Sequence, residues 1–140
     1  MDVLTEIEID RPRAVVATYA AEPDNATEWY THIKSVEWKT PPPLAVGSRV
    51  AFVARFLGRR LAYTYEILEV VPGERLVMSS DTMETTYTWT DTPAGATRMG
   101  LRNRGRPRGF SAIAAPLLAI VTRRSTRNDL ARLKRILESR

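Results

Sequence analysis

The chain opens on an alternation: Val3, Thr5, Ile7 and Ile9 fall on one side of an extended segment and Leu4, Glu6 and Glu8 on the other. That period of two predicts a strand with one buried face. Arg11-Pro12 ends it, and Pro12 suits the first turn of a helix, on which Val15, Val16, Tyr19 and Ala20 recur at helical spacing. Pro23-Asp24 breaks that helix, and Asp24 or Asn25 is placed to cap a second short one running to about Tyr30. A second strand follows, with Val36 and Trp38 opposite Ser35, Glu37 and Lys39, and Pro41-Pro42-Pro43 then forces a loop.

From Val50 to Asn103 the pattern predicts a run of hairpins. A turn at Gly58-Arg59 sets Phe56 beside Leu61, Ala54 beside Tyr63, Phe52 beside Tyr65 and Val50 beside Ile67. A turn at Pro72-Gly73 sets Ile67 beside Met78 and Tyr65 beside Ser80. A weaker signal at Thr82-Met83 sets Ser80 beside Thr85, Met78 beside Tyr87 and Leu76 beside Trp89. Pro93-Ala94-Gly95 fits a three-residue loop and sets Trp89 beside Met99, Tyr87 beside Leu101 and Thr85 beside Asn103. The registers agree on one lined face of an antiparallel sheet. Phe52, Tyr65, Ser80, Thr85 and Asn103 form a partly polar row, beside an apolar row of Val50, Ile67, Met78, Tyr87 and Leu101. Arg55, Thr64, Glu66, Ser79, Thr86, Thr88, Thr90, Arg98 and Arg102 read as the solvent face. The cover must come from elsewhere, and the long element left is a helix from Ser111 to Ser139, which Pro116 either kinks or starts.

Length and composition then narrow the class. At 140 residues the chain reads as a single α+β domain, residues 1–140, with about six to seven strands. It has no cysteine, which excludes disulfides, thiolate metal sites and cysteine nucleophiles and fits a reducing cytoplasm. No signal peptide is visible, and the apolar run from Ala112 to Val121 is too short to span a bilayer. The net charge is +5 and the arginines gather late, at Arg98 to Arg108 and Arg123 to Arg140. Such a bias is a solvated surface or the mark of an acidic partner.

Several short motifs together resemble one superfamily. They are Ile9 with Pro12 and Val15-Val16, Asn25 with Trp29, Gly47-Ser48, and Tyr65-Glu66 followed by Pro72-Gly73-Glu74-Arg75-Leu76. Ala115-Pro116-Leu117-Leu118 and Asp129-Leu130-Ala131-Arg132-Leu133-Lys134 complete the set. In this order the chain resembles the START-related helix-grip (SRPBCC) superfamily, in its polyketide cyclase/dehydrase branch. The resemblance implies a curved sheet gripping the last helix, with a cavity between them. It also implies a lipid-, polyketide- or isoprenoid-like ligand. It carries no universal catalytic motif, so no catalytic residue follows from it.

Apolar walls with a few placed polar groups are the make-up of a small-molecule site. Phe52, Tyr63, Tyr65, Ser80, Thr85, Tyr87 and Asn103 are therefore the expected cavity lining, and Trp89, Met78 and Met99 are expected as core. The same polar row would serve a sealed core if it paired with itself, with helix backbone or with water. Two functions fit the face: a binding or carrier protein, or a cofactor-free cyclase, aromatase or dehydratase with Tyr65, Tyr87 or His32 moving protons beside Asn103 or Ser80. Tyrosines titrate near ~10, so binding is favoured over catalysis.

No metal site is expected, since His32 is the single histidine, and no phosphate loop or dinucleotide fingerprint is present, so no cofactor is expected. Trp29 reads as a packing anchor between the short helices and the sheet. Arg104-Gly105-Arg106-Pro107 matches a minor-groove peptide, but it joins a strand to a helix and is expected to give no specific nucleic-acid recognition. The last helix, apolar nearly all round up to Val121 and basic after it, reads first as a lid and second as an element making transient membrane-surface contact.

Overall fold

The alternating start forms strand β1 (Asp2–Ile9), and α1 (Arg13–Ala21) follows with Pro12 at its N-cap. A 3₁₀ turn (Pro23–Asn25) leads into the single-turn helix α2 (Ala26–Trp29). Strands β2 (Ile33–Trp38), β3 (Arg49–Phe56), β4 (Arg59–Val71), β5 (Arg75–Ser79), β6 (Met83–Asp91) and β7 (Thr97–Gly105) precede helix α3 (Ala115–Glu138). These elements come from a computed structural model that describes residues 1–56, 58–105 and 115–140. The strands form one antiparallel seven-stranded sheet in the order β1-β7-β6-β5-β4-β3-β2. This is the helix-grip architecture.

The helix caps differ from expectation. Asn25 occupies the N-cap position of α2 without a capping hydrogen bond, because its Nδ2 donates to the Tyr19 carbonyl at 3.1 Å. The Asp24 carboxylate accepts Trp38 Nε1–H at 2.9 Å, which ties the turn to β2.

Two hairpin registers differ from expectation by two residues each. Gly58 itself takes the left-handed conformation (φ +75°), so Arg59 enters the strand opposite Phe56. Phe52 therefore pairs with Tyr63 and Val50 with Tyr65. At the β5–β6 connection, Ser80 N–H donates to Met83 O at 2.8 Å and Ser80 Oγ accepts Met83 N–H at 3.2 Å. The serine hydroxyl closes the turn in the manner of a side-chain-mimicked turn. The ladder then starts at Ser79↔Glu84, with Met78 beside Thr85 and Leu76 beside Tyr87. Each shift is even, so no side chain changes face.

At Pro72-Gly73 two irregularities cancel. The connection is one residue longer than expected, Val71↔Arg75 around Gly73 (φ +76°), and a bulge between Ile67 and Glu69 absorbs the difference. Ile67 pairs with Met78 as the sequence predicts, while Leu68 is turned out to 45% exposure. The Pro93-Ala94-Gly95 hairpin has the expected register throughout, from Asp91↔Thr97 to Met83↔Gly105.

The outer face is not wholly a solvent face. Thr86, expected there as exposed, is buried, flanked in register by Val77 and Arg102. Arg102 is held by Asp2 through a bidentate ion pair at 2.8 and 2.6 Å.

Helix α3 lies along the inner face of β1 and runs in the same direction. Thr122 Oγ1 meets Met1 Sδ at 3.5 Å, Thr126 Oγ1 meets Thr5 Oγ1 at 2.9 Å, and Lys134 Nζ donates to Glu8 O at 2.8 Å. Its buried stripe is Thr126, Asp129, Leu130, Leu133 and Leu137, the spacing of one helix face. At the far end Glu138 accepts Asp10 N–H at 2.8 Å, and Arg11 donates to Arg140 O at 3.0 Å. Residues 111–114 of the expected helix lie outside the described residues, as do Arg106 and Pro107. Arg104 and Gly105 are the last residues of β7. Among the described residues no helix is long and apolar enough to cross a membrane.

Candidate functional site

One end of the inner face is sealed. Short helix α1 packs on β6, and Ile9, Val16, Trp29, Met99, Leu101, Leu130 and Leu133 are at most 1% exposed. Trp29 is the anchor its sequence position suggests. It is fully buried, with its ring 4.0 Å from that of Tyr30 and 5.9 Å from that of Tyr87. Under α1 and α2, among Ala26, Trp29, Val50, Phe52, Leu76 and Tyr87, lies a crevice of about 20 Å³, room for about one water.

The other end carries the polar groups. Thr85 Oγ1 donates to Asn103 Oδ1 at 2.8 Å, and the phenol of Tyr65 stands near the hydroxyls of Thr85 and Ser80. Tyr65 and Asn103 thus meet the same threonine from strands β4 and β7, on one face of the sheet. Burial pushes the Tyr65 phenol above its ordinary pKa, and the neighbouring Thr85 and Ser80 hydroxyls pull the other way. Thr85 and Phe52 are buried, Tyr65, Ser80 and Asn103 are half-buried, and Tyr63 is 41% exposed. The expected lining residues therefore grade from closed to open along the sheet. Phe52 still touches Tyr65, edge to face at 5.8 Å, although the two do not pair.

The expected single row is split by the two register shifts, with Thr85 and Asn103 in line with Ile67 and Met78 and Tyr65 in line with Val50. Tyr87 stands apart from both. It is buried beside Leu76 and Leu101, and its hydroxyl hydrogen-bonds that of Tyr30. Burial holds both phenols well above the usual tyrosine range. Behind them Asp129, 3% exposed on α3, accepts Thr31 N–H at 3.0 Å. Burial raises the Asp129 carboxyl pKa; its hydrogen bond from Thr31 and the nearby His32 and Arg132 oppose the rise.

Among the described residues, Tyr30, Thr126 and Asp129 are polar inner-face residues that the sequence pattern does not single out for a role. A signal existed for Asp129, a carboxylate set at a core position of an otherwise apolar stripe. For Tyr30 there was none, because its partner lies 57 residues away.

Chemically, the face offers neutral hydrogen-bonding groups: phenols held protonated, two hydroxyls and an amide whose carbonyl already accepts from Thr85. The Asn103 NH₂ group is left to donate. The buried carboxylate is engaged with backbone rather than set beside the polar row.

The fold has close counterparts among solved structures. A protein of Thermus thermophilus, TTHA0849, superposes with a TM-score of 0.81 at 18% identity, over 99% of this chain and 98% of that one. The Zhui aromatase/cyclase of a Streptomyces species gives 0.78 at 15% identity, over 99% and 93%. The di-domain aromatase/cyclase StfQ of steffimycin biosynthesis gives 0.79 at 15%, over 99% of this chain and 50% of that one. No curated protein matches the chain. The family described as polyketide cyclase/dehydrase and lipid transport matches residues 1–138. With nearly the whole chain matched and the helix-grip fold in place, this protein belongs to the polyketide cyclase/dehydrase and lipid transport family.

Proposed function

We propose that this protein binds a small, mostly apolar molecule carrying a carbonyl or hydroxyl group, on the inner face of the sheet beside α3. One observation carries the reading. Tyr65, Ser80, Thr85 and Asn103, from four different places in the chain, gather at the half-open end of a face whose other end is sealed and apolar. Thr85 and Asn103 already pair with each other, so what supports binding is the partial exposure of Tyr65, Ser80 and Asn103 beside them. The apolar part of the ligand would lie against the exposed Tyr63 ring and the half-buried Tyr65 ring at the open end, and its oxygen would accept from the Asn103 NH₂.

Binding is favoured over proton-transfer catalysis within the family's range. A general base works best with a pKa near the operating pH. The phenols here are pushed the wrong way, and the Asp129 carboxylate is bound to Thr31.

The test is titration with a fluorescent naphthyl ketone, together with native mass spectrometry for a co-purified molecule. Asn103→Phe should block the open end and abolish probe binding, at a stability cost of about 1–3 kcal/mol because the buried Thr85 hydroxyl loses its acceptor. Asn103→Leu should weaken the ketone about 5-fold and leave a hydrocarbon analogue unaffected, the loss of a hydrogen bond worth roughly 1 kcal/mol. Absence of probe binding by the wild type, with no co-purified molecule in the native mass spectrum, would mean that the face is simply core.

A further inference from the structure

The first turns of α3 are apolar on the side that faces away from the sheet. Leu117 is 65% exposed, Ile120 62%, Leu118 46% and Val121 45%. Leu117, Ile120, Val121 and Arg124 follow the i, i+3, i+4, i+7 spacing of a single stripe. Arg123, Arg124 and Arg127 are exposed on the next turns, and no acidic residue occurs between Ala115 and Arg127. Scattered exposed aliphatics need no explanation, but neighbouring ones on consecutive turns mark a contact surface.

We infer that this face of α3 docks on an anionic phospholipid surface, with Leu117, Leu118, Ile120 and Val121 entering the headgroup boundary and Arg123, Arg124 and Arg127 meeting lipid phosphates. The charge pattern selects this occupant. A second copy of the chain packed through the same face would cover the aliphatics but offer the arginines no counter-charge, since this stretch has no acidic residue. A nucleic acid would leave the aliphatics without apolar partners. A bilayer with anionic headgroups satisfies both halves of the helix at once. The geometry fits a surface contact, because the opposite side of the helix is already committed through Thr122 and Thr126 to Met1 and Thr5.

The position within the fold adds a reason. Met1, against Thr122, also accepts Gly105 N–H at 2.9 Å, and Gly105 pairs with Met83 beside the turn that Ser80 closes. The apolar turns of α3 therefore lie at the half-open end of the inner face. The inference itself rests on the outer face of the helix and stands whether or not the inner face holds a ligand.

Flotation with vesicles tests it. The wild type should float with phosphatidylcholine vesicles containing phosphatidylglycerol and stay behind with phosphatidylcholine alone. Leu117→Asp with Ile120→Asp should abolish flotation without changing the melting temperature or the circular dichroism. Arg124→Ala and Arg127→Ala should each weaken it about 5-fold, the effect of one basic residue near an anionic surface. The inference is overturned if anionic vesicles capture no protein at low salt, or if the double aspartate variant binds as well as the wild type. A dimer that the double aspartate variant splits, seen by light scattering in a protein that ignores vesicles, would equally overturn it and assign the face to a second copy.

Discussion

Thr5 and Thr126, 121 positions apart, join strand β1 to helix α3 through a buried contact between their hydroxyls at 2.9 Å. Thr126 Oγ1 also donates to Thr122 O at 2.9 Å, so at the shared contact Thr5 is the donor. Thr126→Val would leave the Thr5 hydroxyl buried without an acceptor. It should cost about 1–3 kcal/mol, a fall of several degrees in melting temperature. The double change Thr5→Val with Thr126→Val should cost less than the sum of the two single changes, because it removes both polar partners together. Strict additivity in denaturant unfolding would refute the pairing.

The Tyr30–Tyr87 contact should behave in the same way at the other side of the core. Tyr30→Phe strands the hydroxyl of Tyr87, a residue 3% exposed. A loss of about 1–3 kcal/mol is expected, smaller again when Tyr87→Phe accompanies it. Because α2 carries Trp29 into the core beside this pair, the single variant should also shift the tryptophan emission.

Asp129 gives a pH signature. Its folded-state carboxyl pKa is raised, chiefly by burial, so in the window between its unfolded and folded values the native state binds more proton than the unfolded chain. Stability from this group is therefore present at acid pH and is lost as pH rises through the folded value. Asp129→Asn keeps an oxygen for Thr31 N–H and removes the titration. The variant's stability relative to wild type should rise as pH goes from below the ordinary carboxylate range to neutrality. A flat difference across that range would mean that Asp129 titrates normally.

Gly100 is a steric test of the outer face. A Cβ placed there would stand 2.6 Å from Thr88 Oγ1 and 3.6 Å from Leu4 Cδ1. Gly100→Ala should destabilise by about 1–3 kcal/mol, as overpacking does, and Thr88→Ala should recover most of the loss. Absence of rescue would place the cost in the backbone instead.

Much of the fold was legible because strand and helix periods are local properties. The alternation from Val3 to Ile9, the proline breaks at Pro12 and Pro23, and the turn at Pro93-Ala94-Gly95 each depend on a few neighbouring residues, and each appears in the structure as read. The common face of Phe52, Tyr65, Thr85, Tyr87 and Asn103 survived two wrong registers because a slip of two preserves the side of a pleated strand.

What the chain decided alone was which residues face inward and in what order the elements come. Tertiary structure decided which inward residues meet. The register at Gly58 was set by where the glycine adopts positive φ, and the register at Ser80 by a hydroxyl closing the turn. The bulge at Leu68 compensated a longer loop several residues away. Tyr30 with Tyr87, Asp129 with Thr31 and Thr5 with Thr126 each join segments 57 or more residues apart. No local pattern encodes such a pair. Each partner is chosen by the packing of helices against the sheet, where a buried polar atom must find whatever complementary group the closed fold brings to it.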